Sequence, residues 1–183
     1  MESGIHPNPW DHLSELIAAG DPTVVEGFLD SLRWSERARA ISRLSQDQQE
    51  RLFTMLAPHE AAELMESLPD PEAAGLIERL EPADAAPIVE ELASNQQADL
   101  LGHLQEHSAE AILAEMDPSE AAEARSLAQY PSDSAGGLMV TEFVTFPEGV
   151  SVQEVLQRLR QHGAEYAEYD IQYLYVIDRE GRQ

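Results

Sequence analysis

A leucine or methionine recurs every twelve residues without a slip, from Leu32 through Leu44, Leu56, Leu68, Leu80, Leu92 and Leu104 to Met116. Four residues before most of these stands a second apolar residue: Leu52, Leu64, Leu76, Ile88, Leu100, Ile112. Three residues before stands a third: Ile41, Phe53, Met65, Ile77, Val89, Leu101, Leu113. Positions i, i+1 and i+4 fall on one face of an α-helix. Each unit therefore reads as one short helix with one buried stripe.

The links between units carry start and stop signals. Asp70-Pro71 and Asp117-Pro118 put a capping carboxylate ahead of a proline at the first helical position. Ser45 to Gln48 matches a capping box, and Asp117 to Glu120 is an acidic variant of it. Pro58 and Pro82 fall in the same phase. Allowing about two linker residues leaves helices of about ten residues, about 15 Å long. Helices this short are not stable alone. They must bury their stripes on neighbours, which is the logic of a solenoid. Alanine pairs at Ala61-Ala62, Ala73-Ala74, Ala85-Ala86 and Ala121-Ala122 fall in first turns and predict close helix–helix approaches. An opening helix near Asp11 to Ala19 should end at Gly20, and Asp21-Pro22 should start the next. The phase is expected to fail after Met116, with a last helix running to about Gln129. The predicted fold class is mostly α: a right-handed superhelix of short helices over residues 1–130.

At Tyr130 the character changes. Pro131-Ser132-Asp133-Ser134-Ala135-Gly136-Gly137 reads as a linker. Phe143 to Phe146 reads as a short strand. Ser151 caps a helix carrying Val152, Val155, Leu156 and Leu159 and ending near Gly163. Ile171 to Ile177 reads as a second strand, followed by a turn over Asp178 to Arg182. Residues 131–183 are thus a linker and a partial α/β unit, and the pattern calls for a further strand beyond residue 183.

Composition narrows the function. Eleven Lys and Arg face 35 Asp and Glu, a net charge of −24. Such a chain repels nucleic-acid phosphates and anionic lipid heads, and it attracts cations. With no cysteine, thiol catalysis and disulfides are excluded. No apolar run approaches the roughly 18–20 residues of a membrane helix. Met1 to Trp10 has neither the basic nor the apolar region of a signal peptide. No nucleophile–base pair, phosphate loop or catalytic motif stands out, so the chain reads as a sensor or binder and not an enzyme. His103 and His107 have a zinc-ligand spacing. They straddle a link, however, and lack a third ligand.

The stretch YPSDSAGGLMVTEFVTFPEGVSVQEVLQRLRQHG, with YLYVIDREGR after it, resembles the junction in MgtE-type magnesium channels. There a superhelical N-terminal domain runs into a pair of CBS (cystathionine-β-synthase-type) domains. The acidic twelve-residue repeat is similar to that family's N domain. The resemblance implies a cytosolic magnesium sensor on the inner face of the plasma membrane. It implies partners in the rest of the CBS pair and in a transmembrane pore of the same protein, with a homodimer in the full-length chain. Mg²⁺ held between acidic domain surfaces would close the assembly and shut the pore. Loss of Mg²⁺ would let like charges part.

The resemblance also assigns residues. Glu63 sits where the family offers a metal-ligating glutamate, and Asp99 matches an aspartate in a later repeat. Asn95 stands where the family has a second aspartate, and it offers a carbonyl oxygen without the charge. Gly137 falls where a linker carbonyl reaches magnesium. Tyr173 falls where some members stack the adenine of a nucleotide. The remaining CBS ligands would lie beyond residue 183. Beside these stand plainer readings: Glu63 and Asp99 as solvated helix carboxylates, Tyr173 as strand packing. The functional alternative is a superhelical protein-interaction scaffold with no metal response.

Overall fold

The computed structural model describes residues 8–131, 134–141, 143–163 and 173–178. The chain divides into two units, Met1–Leu138 and Met139–Gln183.

The described residues of the first unit form ten helices: α1 (Pro9–Ala19), α2 (Pro22–Ser31), α3 (Trp34–Ser42), α4 (Gln46–Met55), α5 (Pro58–Glu66), α6 (Asp70–Ile77), α7 (Pro82–Glu90), α8 (Ser94–His103), α9 (Glu106–Glu115) and α10 (Pro118–Leu127). From α3 to α10 each helix begins twelve residues after the one before. The phase therefore survives one helix beyond Met116, and α10 ends at Leu127 instead of near Gln129.

The most regular leucines are not on the helical face. Leu32, Leu56, Leu104 and Met116 are C-terminal cap residues in extended conformation. Leu44, Leu68 and Leu92 follow caps still in helical conformation. The N–H groups of Leu32, Leu44, Leu68, Leu80, Leu92 and Leu104 each donate to the carbonyl three residues back. This tightens the last turn and satisfies carbonyls that a helix end leaves open. The link must stop the helix, reverse the chain and keep a side chain in the core, so it tolerates least variation. The stripe itself comes from the earlier apolar pair and the alanines.

The residue after each repeat leucine is the N-terminal cap, and its backbone is extended or nearly so throughout. Ser45 accepts from the Gln48 N–H, and Asp117 accepts from the Ser119 N–H. Asp21 caps α2 in the same way, and Gly20 ends α1 at φ 81°. Asp70 does not cap: Pro69 holds the cap position and Asp70 is already the first helical residue. A side-chain cap contributes about 1 kcal/mol. Keeping a whole stripe in phase outweighs it.

Helices pack on their second neighbours along the chain: α4 on α6, α5 on α7, α6 on α8, α7 on α9 and α8 on α10. Two alternating rows result, with the apolar stripes between them. α1 packs on α2, α3 and α4 and covers the N-terminal end. Phe53, Ile41, Leu52, Leu76, Ile77 and Val89 are fully buried. Of the paired alanines, all but Ala122 are buried. Their small side chains let the short helices approach.

The second unit is β1 (Val144–Pro147), α11 (Val152–Gln161) and β2 (Leu174–Ile177). The strands pair in parallel, with Val144 opposite Leu174 and Phe146 opposite Val176. Parallel pairing requires the crossover that α11 supplies. Ser151 accepts from the Glu154 N–H, and the Glu154 side chain returns to the Ser151 N–H, a complete capping box. β1 starts and ends one residue later than expected. Ile171, Gln172 and the expected turn at Arg179 to Arg182 lie outside the described residues. Val144 and Phe146 are buried, whereas Val152, Leu156, Leu174 and Val176 remain exposed.

Candidate cation site

α5 carries Glu63 on its exposed side, next to the buried Leu64 and Met65. α8 carries Asn95 and Asp99 four residues apart, one turn, so they share a face. Both are half-buried beside the stripe of Ala98, Leu100 and Leu101. The side chains of Glu63, Asn95 and Asp99 have no hydrogen-bond or ion-pair partner among the described residues. The backbone carbonyl of Asp99 is engaged by His103 Nδ1 at 2.7 Å. That contact turns the imidazole back onto its own helix.

A cleft of about 110 Å³ lies between α5, α6 and α8. Glu66, Asp70, Gln96 and Asp99 line it, over a floor that includes Met65 and Leu100. Glu63 and Asn95 are not on its wall. The structure thus gathers Asp99 with two carboxylates, Glu66 and Asp70, that sequence reasoning did not single out.

A signal for Glu66 was present in the repeat. Glu66, Glu78 and Glu90 are twelve apart. The Glu78 carboxylate accepts from the Gln105 N–H, and that of Glu90 from the Asp117 N–H, each 27 residues on. The corresponding amide for Glu66 belongs to Ala93. That amide donates instead to Gln96 Oε1 at 3.3 Å. Gln96 thereby releases Glu66, which has no hydrogen-bond or ion-pair partner among the described residues.

Gly137 lies in the turn that follows α10. Its N–H donates to the carbonyl and the hydroxyl of Ser134, at 3.1 and 3.2 Å, and the Leu138 N–H donates to the same carbonyl. Gly137 is buried, and its carbonyl accepts no hydrogen bond among the described residues. Tyr173 belongs to the second unit. It immediately precedes β2 and is 71% exposed. Tyr175, two residues on, packs edge-on against Phe143 instead.

Like charges accumulate along the first unit. Glu120 is held above the usual carboxylate range by partial desolvation, then by the charges of Glu90, Asp117, Glu123 and Glu91. Glu26 is raised by a hydrogen bond with Glu60 and by desolvation. Four of the described arginines are held in ion pairs: Arg33 with Glu36, Arg37 with Asp30, Arg79 with Glu50 at 3.2 Å and Arg125 with Glu110 at 3.0 Å, and Arg79 also donates to Gln49 at 2.7 Å. Among the described residues no three His, Asp or Glu side chains converge into a metal-holding group. The free donors are carboxylate and carbonyl oxygens, the set a hard cation prefers. No described helix is long and apolar enough to cross a membrane.

Comparison with known proteins places the chain in a family. The sequence profile of the MgtE intracellular N domain matches residues 32–133. The magnesium transporter MgtE of Thermus thermophilus is 49% identical over 67 residues, 37% of this chain and 14% of the transporter. That of Bacillus subtilis is 39% identical over 66 residues, 36% of this chain and again 14% of the transporter. The matched stretch is therefore a small fraction of either transporter's length. Among solved structures, the soluble part of a magnesium transporter superposes with a TM-score of 0.78 at 24% identity, over 94% of this chain and 67% of that one. The cytosolic domain of the Mg²⁺ channel MgtE in complex with ATP superposes with a TM-score of 0.76 at 30% identity, over 93% and 69%.

Proposed function

The chain belongs to the MgtE intracellular N domain family, and we propose that it is a cytosolic Mg²⁺-sensing region of a magnesium transporter, closing its domains when the cation is bound. The observation that carries the reading is the set of unpartnered oxygen donors on a chain of net charge −24. Glu63, Asn95, Asp99 and the Gly137 carbonyl offer only oxygens. Mg²⁺ keeps several waters and takes one or two carboxylates, so a partial protein shell fits it. Bound cation would supply positive charge between surfaces that otherwise repel.

The switch follows from differential affinity. A state that brings more carboxylates together costs Coulomb energy when empty and gains it back when a divalent ion sits among them. A ligand that binds one state better shifts the population toward it. The carboxylates needed to complete the shell would come from a partner surface such as the CBS pair. A pore and a homodimer belong to the same proposal.

One solved relative is described in complex with ATP. The exposed ring of Tyr173 is a candidate platform for an adenine. Titration with ATP, compared between the natural chain and Tyr173→Ala, tests this part.

The main test is thermal unfolding in MgCl₂ against NaCl of equal ionic strength, because any salt screens surface charge. A Mg²⁺-specific rise of the midpoint, reduced by Glu63→Gln and by Asp99→Asn, is expected. Stabilisation grows with ligand concentration over Kd, so a partial shell gives a modest shift. Indistinguishable curves in the two salts would refute Mg²⁺ binding by this chain.

A further inference from the structure

The turn at residues 134–138 is built against one side chain. A Cβ placed on Gly136 would lie 2.5 Å from Cδ1 and 2.6 Å from Cγ of Tyr130. Such separations do not occur between real side chains, so any other residue at 136 must move either the turn or the ring. Cδ1 and Cγ lie near the root of the tyrosine side chain, and they cannot be displaced without rotating the whole ring. The Tyr130 N–H is itself fixed to the Leu127 carbonyl at the end of α10. On its other side the turn is held by Ser134, whose hydroxyl donates to the Pro131 carbonyl at 2.7 Å and accepts from the Gly137 N–H. The two amides that follow Gly136 are therefore committed, while the carbonyls of Ala135, Gly136 and the buried Gly137 accept no hydrogen bond among the described residues.

We propose that Tyr130 is a positioning residue: its ring, admitting only glycine at 136, fixes the turn that presents the Gly137 carbonyl as a cation ligand. The inference rests on the Mg²⁺ reading above and deepens it. Ligand orientation by groups that never touch the metal is a general feature of metal sites, and its loss costs about 10–100-fold in affinity. The ring acts through its face and not its hydroxyl, since the close atoms are all carbons.

The test is a mutant cycle in the 183-residue chain. The Gly137 amide resonance is followed during Mg²⁺ titration, with matched NaCl as control. Thermal midpoints without Mg²⁺ report on folding separately. Gly136→Ala should weaken the Mg²⁺-specific response about tenfold, and Tyr130→Phe should leave it unchanged. In a Tyr130→Ala background, Gly136→Ala should add no further loss, because the space it needs has been vacated. An equal Gly136→Ala penalty with either residue at 130 would overturn the positioning role while leaving the Mg²⁺ reading intact. A natural chain whose Gly137 amide ignores Mg²⁺ would overturn the positioning role, and one whose thermal midpoint also shows no Mg²⁺-specific shift would overturn both.

Discussion

The Glu78 carboxylate at the end of α6 accepts a hydrogen bond from the Gln105 N–H at the start of α9, at 2.7 Å. One helix end thus caps another 27 residues away, and Glu90 repeats the bond with Asp117 one unit later. Glu78→Ala and Glu90→Ala should each cost about 1 kcal/mol in urea unfolding, the usual magnitude for a lost cap. Glu66→Ala, whose corresponding amide is taken by Gln96, should cost close to nothing.

Leu80→Ala should destabilise the first unit by about 2–4 kcal/mol, as large-to-small changes in a packed interior do. Gln97 is also buried, and its side-chain amide donates to the Leu92 carbonyl at 2.9 Å. Gln97→Ala would leave that link unsatisfied, at a cost of about 1–3 kcal/mol. Gln46 is exposed, and its side chain makes no hydrogen bond among the described residues, so Gln46→Ala should stay within about 0.5 kcal/mol. Chemical denaturation of the three variants checks the order.

The raised Glu120 gives a pH dependence of known sign. In the folded chain it binds a proton more readily than in the unfolded chain. Its ionisation therefore subtracts stability as pH rises from the ordinary carboxylate value through the raised one. Glu120→Gln should raise the thermal midpoint at neutral pH, with the gain vanishing at acid pH. Asp117 behaves in the opposite sense, because its hydrogen bond from Ser119 favours the charged form. That contribution is present at neutral pH and is lost as pH falls through the lowered value.

Residues 139–183 expressed alone should give poorly dispersed amide NMR signals. Two strands and one helix bury little: Val144 and Phe146 are covered, but α11 has no buried residue. Units of this size seldom hold a core without help. A well-dispersed spectrum would show that the pairing of β1 with β2 suffices.

The helices were legible because one stripe per twelve residues leaves little freedom, and because Gly20, Asp21, Ser45, Asp117 and Ser151 are local signals that act locally. Leu68 and its equivalents were misread as face residues, since spacing alone does not distinguish the last turn from the link after it. Asp70 was misread as a cap because tertiary phase outranks a preference worth about 1 kcal/mol. Gln97 looks like a surface residue in sequence; only packing shows that it fills a link. Glu66 and Asp70 at the cleft depend on which helices become second neighbours, and short-range pattern does not carry that. The contact of Tyr130 with Gly136 is likewise visible only once the turn is folded back.

Packing on second neighbours sets the folding kinetics. Helices that meet in this way start only twenty-four residues apart, so few contacts in the first unit require closing a long loop. Loop-closure entropy is small for such pairs, and chains dominated by local contacts fold fast. A nucleus can form at any pair of second-neighbour helices and grow outward by adding one helix at a time. Stopped-flow refolding of residues 1–138 should then be complete within milliseconds. Substitutions in α1, the terminal helix, should speed unfolding far more than they slow refolding.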